Sequence, residues 1–365
     1  MKNTFGSSVC VTLFGESHGP AVGAVVDGLA PGIPADTEFI RHQLGLRRPY
    51  GKISTPRAEE DEFEILSGVF NGKTTGTPLC IVIPNTDTKS RDYEATRALA
   101  RPGHADYTAY EKYHGFEDFR GGGHFSGRIT AALTAAGAVA LTALRGRGIA
   151  IGTHIASCGG VKDRAFSDID ADIRRLSGMR FAVLDEAAGE KMKEEIAAAV
   201  EDGDSVGGVL ETAVTGIPAG VGEPWFDTVE GLLAHGLFSV PGIKGVQFGA
   251  GFDLADSRGS VFNDPFHMEG DDIKTCGNNN GGVNGGISNG MPVLFRCAVK
   301  PTPSIFKEQD TVDFMERKDA RIRLSGRHDP AIVHRARVVV DSITALVLCD
   351  LLAQRFGTDW LGGAP

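Results

Sequence analysis

Residues 276–290 read Cys-Gly-Asn-Asn-Asn-Gly-Gly-Val-Asn-Gly-Gly-Ile-Ser-Asn-Gly, with six glycines and five asparagines in fifteen positions. The fold turns on this stretch. As a flexible tether it would divide the chain into two domains; as a structured loop it would leave one. A strand-like apolar run, Met291–Val299, follows immediately, so a folded loop lining a ligand is expected. Upstream, Val9–Phe14 predicts a buried strand ending at Gly15, and Ala21–Val26 a second. Residues 36–46 predict a short helix capped by Asp36, with Ile40 and Leu44 on one face. Further strands are expected at Glu62–Leu66 and Leu79–Ile83, and helices at Arg128–Leu144, Gly189–Val200, Phe226–Phe238 and Ala336–Phe356. Strands and helices do not alternate as βαβ units, which argues against Rossmann and TIM architectures. With no internal repeat and no composition break, a single α+β domain over residues 1–365 is expected.

Lys and Arg total 37 against 47 Asp and Glu, a formal net charge of −10. Such a surface repels nucleic acid and anionic lipid in bulk, so an anionic ligand must be met by a local basic pocket. Six cysteines lie apart with no CxxC spacing, and the histidines lack paired ligand spacing. Reduced thiols and no metal site are expected. The start lacks a signal-peptide apolar stretch, and the apolar run 129–144 falls short of the roughly 20 residues that span a bilayer. A cytoplasmic protein without membrane or nucleic-acid partners is expected.

Several stretches could carry chemistry. Gly15-Glu16-Ser17-His18-Gly19 matches the G-x-S-x-G elbow of serine hydrolases, which needs a helix after the serine. Here the following residues look extended, and His18 could instead act as an acid at a turn. In Arg101-Pro102-Gly103-His104-Ala105-Asp106, an aspartate two residues on could orient or charge the histidine as a proton donor. Arg120-Gly121-Gly122-Gly123-His124-Phe125-Ser126-Gly127-Arg128 precedes a helix start, where glycines and free amides suit an anion. It is neither a Walker A loop nor a dinucleotide fingerprint. Finally, Lys300-Pro301-Thr302-Pro303-Ser304 and Gly326-Arg327-His328-Asp329-Pro330, with the basic loop Arg47 to Arg57, gather cations suited to a small, multiply charged anion.

Taken in order, GESHG (15–19), RPGHADYT (101–108), the triple glycine (121–123), GEPWFD (222–227), GGISNG (285–290), KPTPS (300–304) and GRHDP (326–330) resemble the chorismate synthase family. The matches span nearly the whole chain. The resemblance implies a β-α-β sandwich, a homotetramer, and a lyase of the shikimate pathway and aromatic amino-acid biosynthesis. Its substrate would be 5-enolpyruvylshikimate 3-phosphate, which loses phosphate and a ring proton to give chorismate. It also implies reduced FMN used without net redox change, with the flavin reduced by an external reductase or by NADPH on the enzyme itself.

Carried over, His18 would be the acid near the departing phosphate, His104 would protonate or hydrogen-bond the flavin, and Asp329 would help flavin N5 take the ring proton. Arg47, Lys52, Arg101 and Arg128 would hold substrate. His124, Ser126, Gly285, Lys300, Pro301, Thr302, Pro303, Ser304 and Arg327 would contact the flavin. Two departures stand out. Relatives commonly follow the triple glycine with Arg-Ser-Ser-Ala-Arg-Glu, whereas this chain has His124-Phe125-Ser126-Gly127-Arg128-Ile129. Lys52 stands where many relatives have arginine, keeping the charge but losing the bidentate fork. Two other readings are a serine hydrolase using Ser17 and a non-catalytic flavin- or anion-binding protein.

Overall fold

A computed structural model describes residues 2–51, 53–55, 60–86, 96–324, 326 and 329–362. Two five-stranded antiparallel sheets enclose a layer of helices. The first sheet runs in the order Thr4–Phe5, Cys10–Gly15, Ala21–Asp27, Leu79–Pro84, Glu64–Ser67. Its core strand alternates: Val22, Ala24 and Val26 face inward, directly opposite Ile83, Ile81 and Leu79 of the neighbouring strand. β-branched residues at that spacing fit a pleated, half-buried surface. The second sheet runs Ile243–Phe248, Val293–Val299, Gly208–Thr215, Ala150–Cys158, Val161–Lys162.

The central helix, Thr130–Arg145, packs on the first sheet, and the C-terminal helix, Val333–Phe356, packs on the second; the two helices also pack on each other. Small residues make this layer thin. A Cβ on Gly137 would sit 2.3 Å from the Cβ of Ser342, so glycine sets how closely the helices approach. The segment Gly127–Arg145 is long and apolar enough to cross a bilayer, which corrects the expectation drawn from 129–144 alone, but 83% of that window is buried inside the fold. The N-terminal helix, Thr37–Arg47, starts as expected at Asp36, whose side chain accepts from the Phe39 amide at 3.0 Å. The chain's two ends are tied together: buried Asp350 of the C-terminal helix accepts from the amides of Ser7 at 3.1 Å, Ser8 at 2.6 Å and Val9 at 2.9 Å.

The Asn-Gly stretch is a folded loop, not a tether. Asp264 accepts from the amides of Asn279 and Asn280, each at 3.0 Å, and the Asn278 side chain donates to the Pro292 carbonyl at 2.8 Å. The chain then forms a small hairpin, Val283–Asn284 with Ile287–Ser288. A Cβ on Gly286 would meet Thr228 Cγ2 at 2.5 Å, so the hairpin tip lies flush against the start of the helix Val229–Ser239.

Candidate active site

One cavity of about 860 Å³ opens among the motif-bearing segments. Val11, Leu13, Leu133, Val339 and Ile343 line it from the first sheet and the helix layer, and His104, His124, Lys300, Asp329 and Arg335 bring polar groups to it. Apolar walls with a few convergent polar groups are what an organic anion with a ring system needs.

His104 sits in a fixed relay. Its Nδ1 lies 3.0 Å from Asp106 Oδ1, and Arg101 grips the same carboxylate through Nε at 2.8 Å and Nη2 at 2.6 Å. Burial pushes the Asp106 acid up, but the hydrogen bonds from Arg101 and His104 outweigh it and hold the carboxyl well below its usual range. Asp106 is therefore a carboxylate at all ordinary pH, and with Arg101 Nη2, 3.0 Å from the same Nδ1, it fixes the imidazole ring in place. The geometry follows from the helix Asp106–Tyr113, whose first residue carries the carboxylate. The Cε1–Nε2 edge of His104 is turned to Gly122: a Cβ there would lie 3.2 Å from Cε1.

The triple glycine adopts φ of +59°, +82° and +52° and wedges between the other motifs. A Cβ on Gly121 would come within 2.1 Å of His18 Cε1, and His124 Nδ1 lies 2.8 Å from the Gly15 carbonyl. His18 is buried behind this loop and is not among the cavity-lining residues. Ser17 Oγ lies 3.1 Å from His18 Nδ1 but also 3.1 Å from the carbonyls of Arg120 and Gly121, to which it can donate. The chain continues from Gly19 into a strand, so the helix that a hydrolase elbow requires is missing and the serine-hydrolase reading is not supported.

Of the expected substrate cations, Arg47 and Arg128 line the cavity, while Arg101 is spent on Asp106 beside it. Among the expected flavin contacts, His124, Ser126, Lys300, Thr302, Pro303 and Ser304 line the cavity. Pro301 and Gly285 do not; Gly285 lies at the tip of the 283–288 hairpin. Lys52 and Arg327 fall outside the described residues. Asp329 takes the Thr55 amide on Oδ1 at 2.8 Å and pairs through Oδ2 with Arg335, whose Nε donates to the Arg47 carbonyl at 2.8 Å. Arg335, Thr55 and Asp61 line the same wall, and no motif in the sequence marked them.

Comparison with known proteins agrees with this geometry. The chorismate synthase family model matches residues 9–353. A chorismate synthase of Dehalococcoides mccartyi is 46% identical over 353 residues, 96% of each chain. That of Korarchaeum cryptofilum is 45% identical over 352 residues, 95% of this chain and 96% of the other. A solved structure described as a crystal structure of chorismate synthase matches with a TM-score of 0.77 at 30% identity, covering 97% of this chain and 94% of that one. With a match of that extent, on a β-α-β sandwich whose RPGHADYT, KPTPS and GRHDP stretches reach one cavity, the chain belongs to the chorismate synthase family.

Proposed function

We propose that the chain is a carbon–oxygen lyase that eliminates phosphate 1,4-anti from 5-enolpyruvylshikimate 3-phosphate to give chorismate, using reduced FMN. The observation that carries this reading is the convergence of His104, Lys300, Asp329 and the 124–128 segment on one cavity. The cavity suits a flavin. Two hydroxyls on its wall, Thr302 Oγ1 and Thr55 Oγ1, are buried and lack a hydrogen-bond partner among the described residues. Buried polar groups of that kind are normally satisfied, so a ligand is their natural complement. Lys300, Thr302 and Ser304 would hold the flavin together with His124 and Ser126. When bound, the reduced flavin supplies electron density for C–O cleavage and a base at N5 for the ring proton.

The protein's own groups do the rest. His104, oriented by Asp106 and Arg101, presents its other ring edge for proton transfer or hydrogen bonding at the site. Asp329, held at the cavity wall by Arg335 and the Thr55 amide, would help flavin N5 take the ring proton. The local cations offset the repulsion between two anionic ligands in an otherwise acidic protein. His18, behind Gly121, would reach the phosphate as an acid only if the triple-glycine loop moved aside; where it lies, it buttresses that loop.

The same reading extends to a single domain over residues 1–365, a cytoplasmic location, a homotetramer, and a separate flavin reductase. The hairpin Phe266–Glu269 with Asp272–Thr275 supports assembly: Phe266, Met268 and Ile273 share one face and are each 62% exposed. The deciding experiment supplies 5-enolpyruvylshikimate 3-phosphate with chemically reduced FMN under anaerobic conditions, then with oxidised FMN plus NADPH. Chorismate in the first alone is expected and marks a lyase dependent on an outside reductase. Chorismate in both would give the chain its own reductase activity. FMN binding with no chorismate in either would make it a binding protein.

A further inference from the structure

Arg47 and Arg128 come from different elements, the end of the N-terminal helix and the turn before the central helix, yet aim one edge each at the same point. Among the described residues, neutral groups hold their other edges. Arg47 donates from Nε to Thr130 Oγ1 and from Nη2 to the Gly127 carbonyl, both at 2.9 Å. Arg128 donates from Nε to Asn85 Oδ1 at 2.9 Å and from Nη2 to the Pro84 carbonyl at 3.1 Å. The two Nη1 atoms converge on Asp61, which gives Oδ2 to Arg47 at 3.1 Å and Oδ1 to Arg128. The Asp61 side chain is 1% exposed and its backbone has φ +50°, a conformation uncommon for any residue with a side chain. All three residues line the cavity.

A carboxylate is not needed here to orient the guanidinium groups, since their other edges are already fixed. What it supplies is charge: a negative group set between two guanidinium groups across a buried gap. We infer that Asp61 is an internal stand-in for an anionic group of the substrate, occupying the point between Arg47 and Arg128 in the empty enzyme and leaving when a phosphate or carboxylate takes its place. The ligand thus binds by exchange, and Asp61 sets a threshold: an incoming anion must interact with the two arginines better than a tethered carboxylate does. A doubly charged phosphate does so; a single weak anion does not.

The inference rests on this cavity being the substrate site, but its test uses inorganic phosphate and no chemistry. Thermal melting and equilibrium dialysis would compare the native protein with Asp61→Asn and Asp61→Gly, the glycine being suited to φ +50°. In phosphate-free buffer both variants should melt below the native protein. Added phosphate should raise their melting temperatures more than the native one, and should bind them about tenfold more tightly. Variants that refold only with phosphate present would likewise support the exchange. Equal phosphate increments in all three proteins, no gain in affinity, or variants that fail to fold even with phosphate would overturn it. Chorismate formation by the native protein is scored separately: a chain that makes none yet shows the phosphate difference keeps its internal anion and loses the lyase reading.

Discussion

At the level of single residues, His104 and Asp329 bear most of the proposed chemistry. His104→Ala and Asp329→Ala should each lower turnover at least about tenfold, ~1.4 kcal/mol of transition-state stabilisation, in the anaerobic assay. Near-native turnover in either variant would remove that residue from the catalytic set. His334 sits just behind the site, its Nε2 2.8 Å from Ser54 Oγ and its ring stacked on Phe181. Burial, and then the charge of Arg335, push it down to about 4 from an ordinary 6.5. A group depressed in this way stays neutral in the folded protein while the unfolded chain takes up a proton. Its stabilisation is therefore complete above about pH 6.5 and is lost as the pH falls toward 4, a difference of roughly 3 kcal/mol. His334→Gln should flatten the loss of stability between pH 7 and 4.5; denaturant melts that fall in parallel for both proteins would contradict this. The residues that sequence reading passed over share one trait. Asp61 lies in the acidic run Glu59-Glu60-Asp61-Glu62, where nothing in the letters says which carboxylate turns inward. Arg335 is one arginine of a helix start, and only folding brings it to Asp329.

Among the elements, the thin helix layer is the most sensitive. Gly137→Ala would gain helix propensity, but its methyl would lie 2.3 Å from Ser342 Cβ. Overpacking should win, at about 1–3 kcal/mol of lost stability by urea unfolding; an unchanged midpoint would show that the layer can spread. Five helices and most first-sheet strands were legible from apolar periodicity and caps, as in Thr37–Arg47 with its Asp36 cap, whereas the short helices Asp106–Tyr113 and Ile169–Leu176 were not. The strands Ala150–Cys158 and Gly208–Thr215 gave no comparable signal, although they lie at the heart of the second sheet. The reason is buried polarity. Thr153 Oγ1 lies 2.7 Å from Thr212 Oγ1 and donates to Asp341 at 2.6 Å, while His154 is held between Asp163 at 2.8 Å and Glu211 at 2.9 Å. Each group is satisfied by a neighbouring strand, turn or helix, so residues that read as surface belong to the interior. Likewise, the seven motif stretches made the family recognisable, but their spacing alone could not show that the triple glycine would stand between His18 and the cavity.

For the whole molecule, the exposed apolar face of the 266–275 hairpin bears on assembly. If the proposed tetramer uses this face, Ile273→Glu should shift sedimentation toward smaller species while far-UV circular dichroism stays native. A tetramer that persists would place the interface elsewhere. The second sheet joins strands from residues 150–158, 208–215, 243–248 and 293–299, so most of its pairing is between distant parts of the chain. Folding of such a topology is expected to be slow, since loop closure must precede the contacts that reward it.

The carboxylate of Asp350 adds a condition on timing. Three amides at the very start of the first sheet have as their partner a side chain more than 340 positions later. During synthesis, the first sheet can pair its strands early, but its N-terminal segment stays unsecured until the last helix has cleared the ribosome. That tie therefore closes late, and a nascent chain must keep its apolar inner face from aggregating until Asp350 arrives.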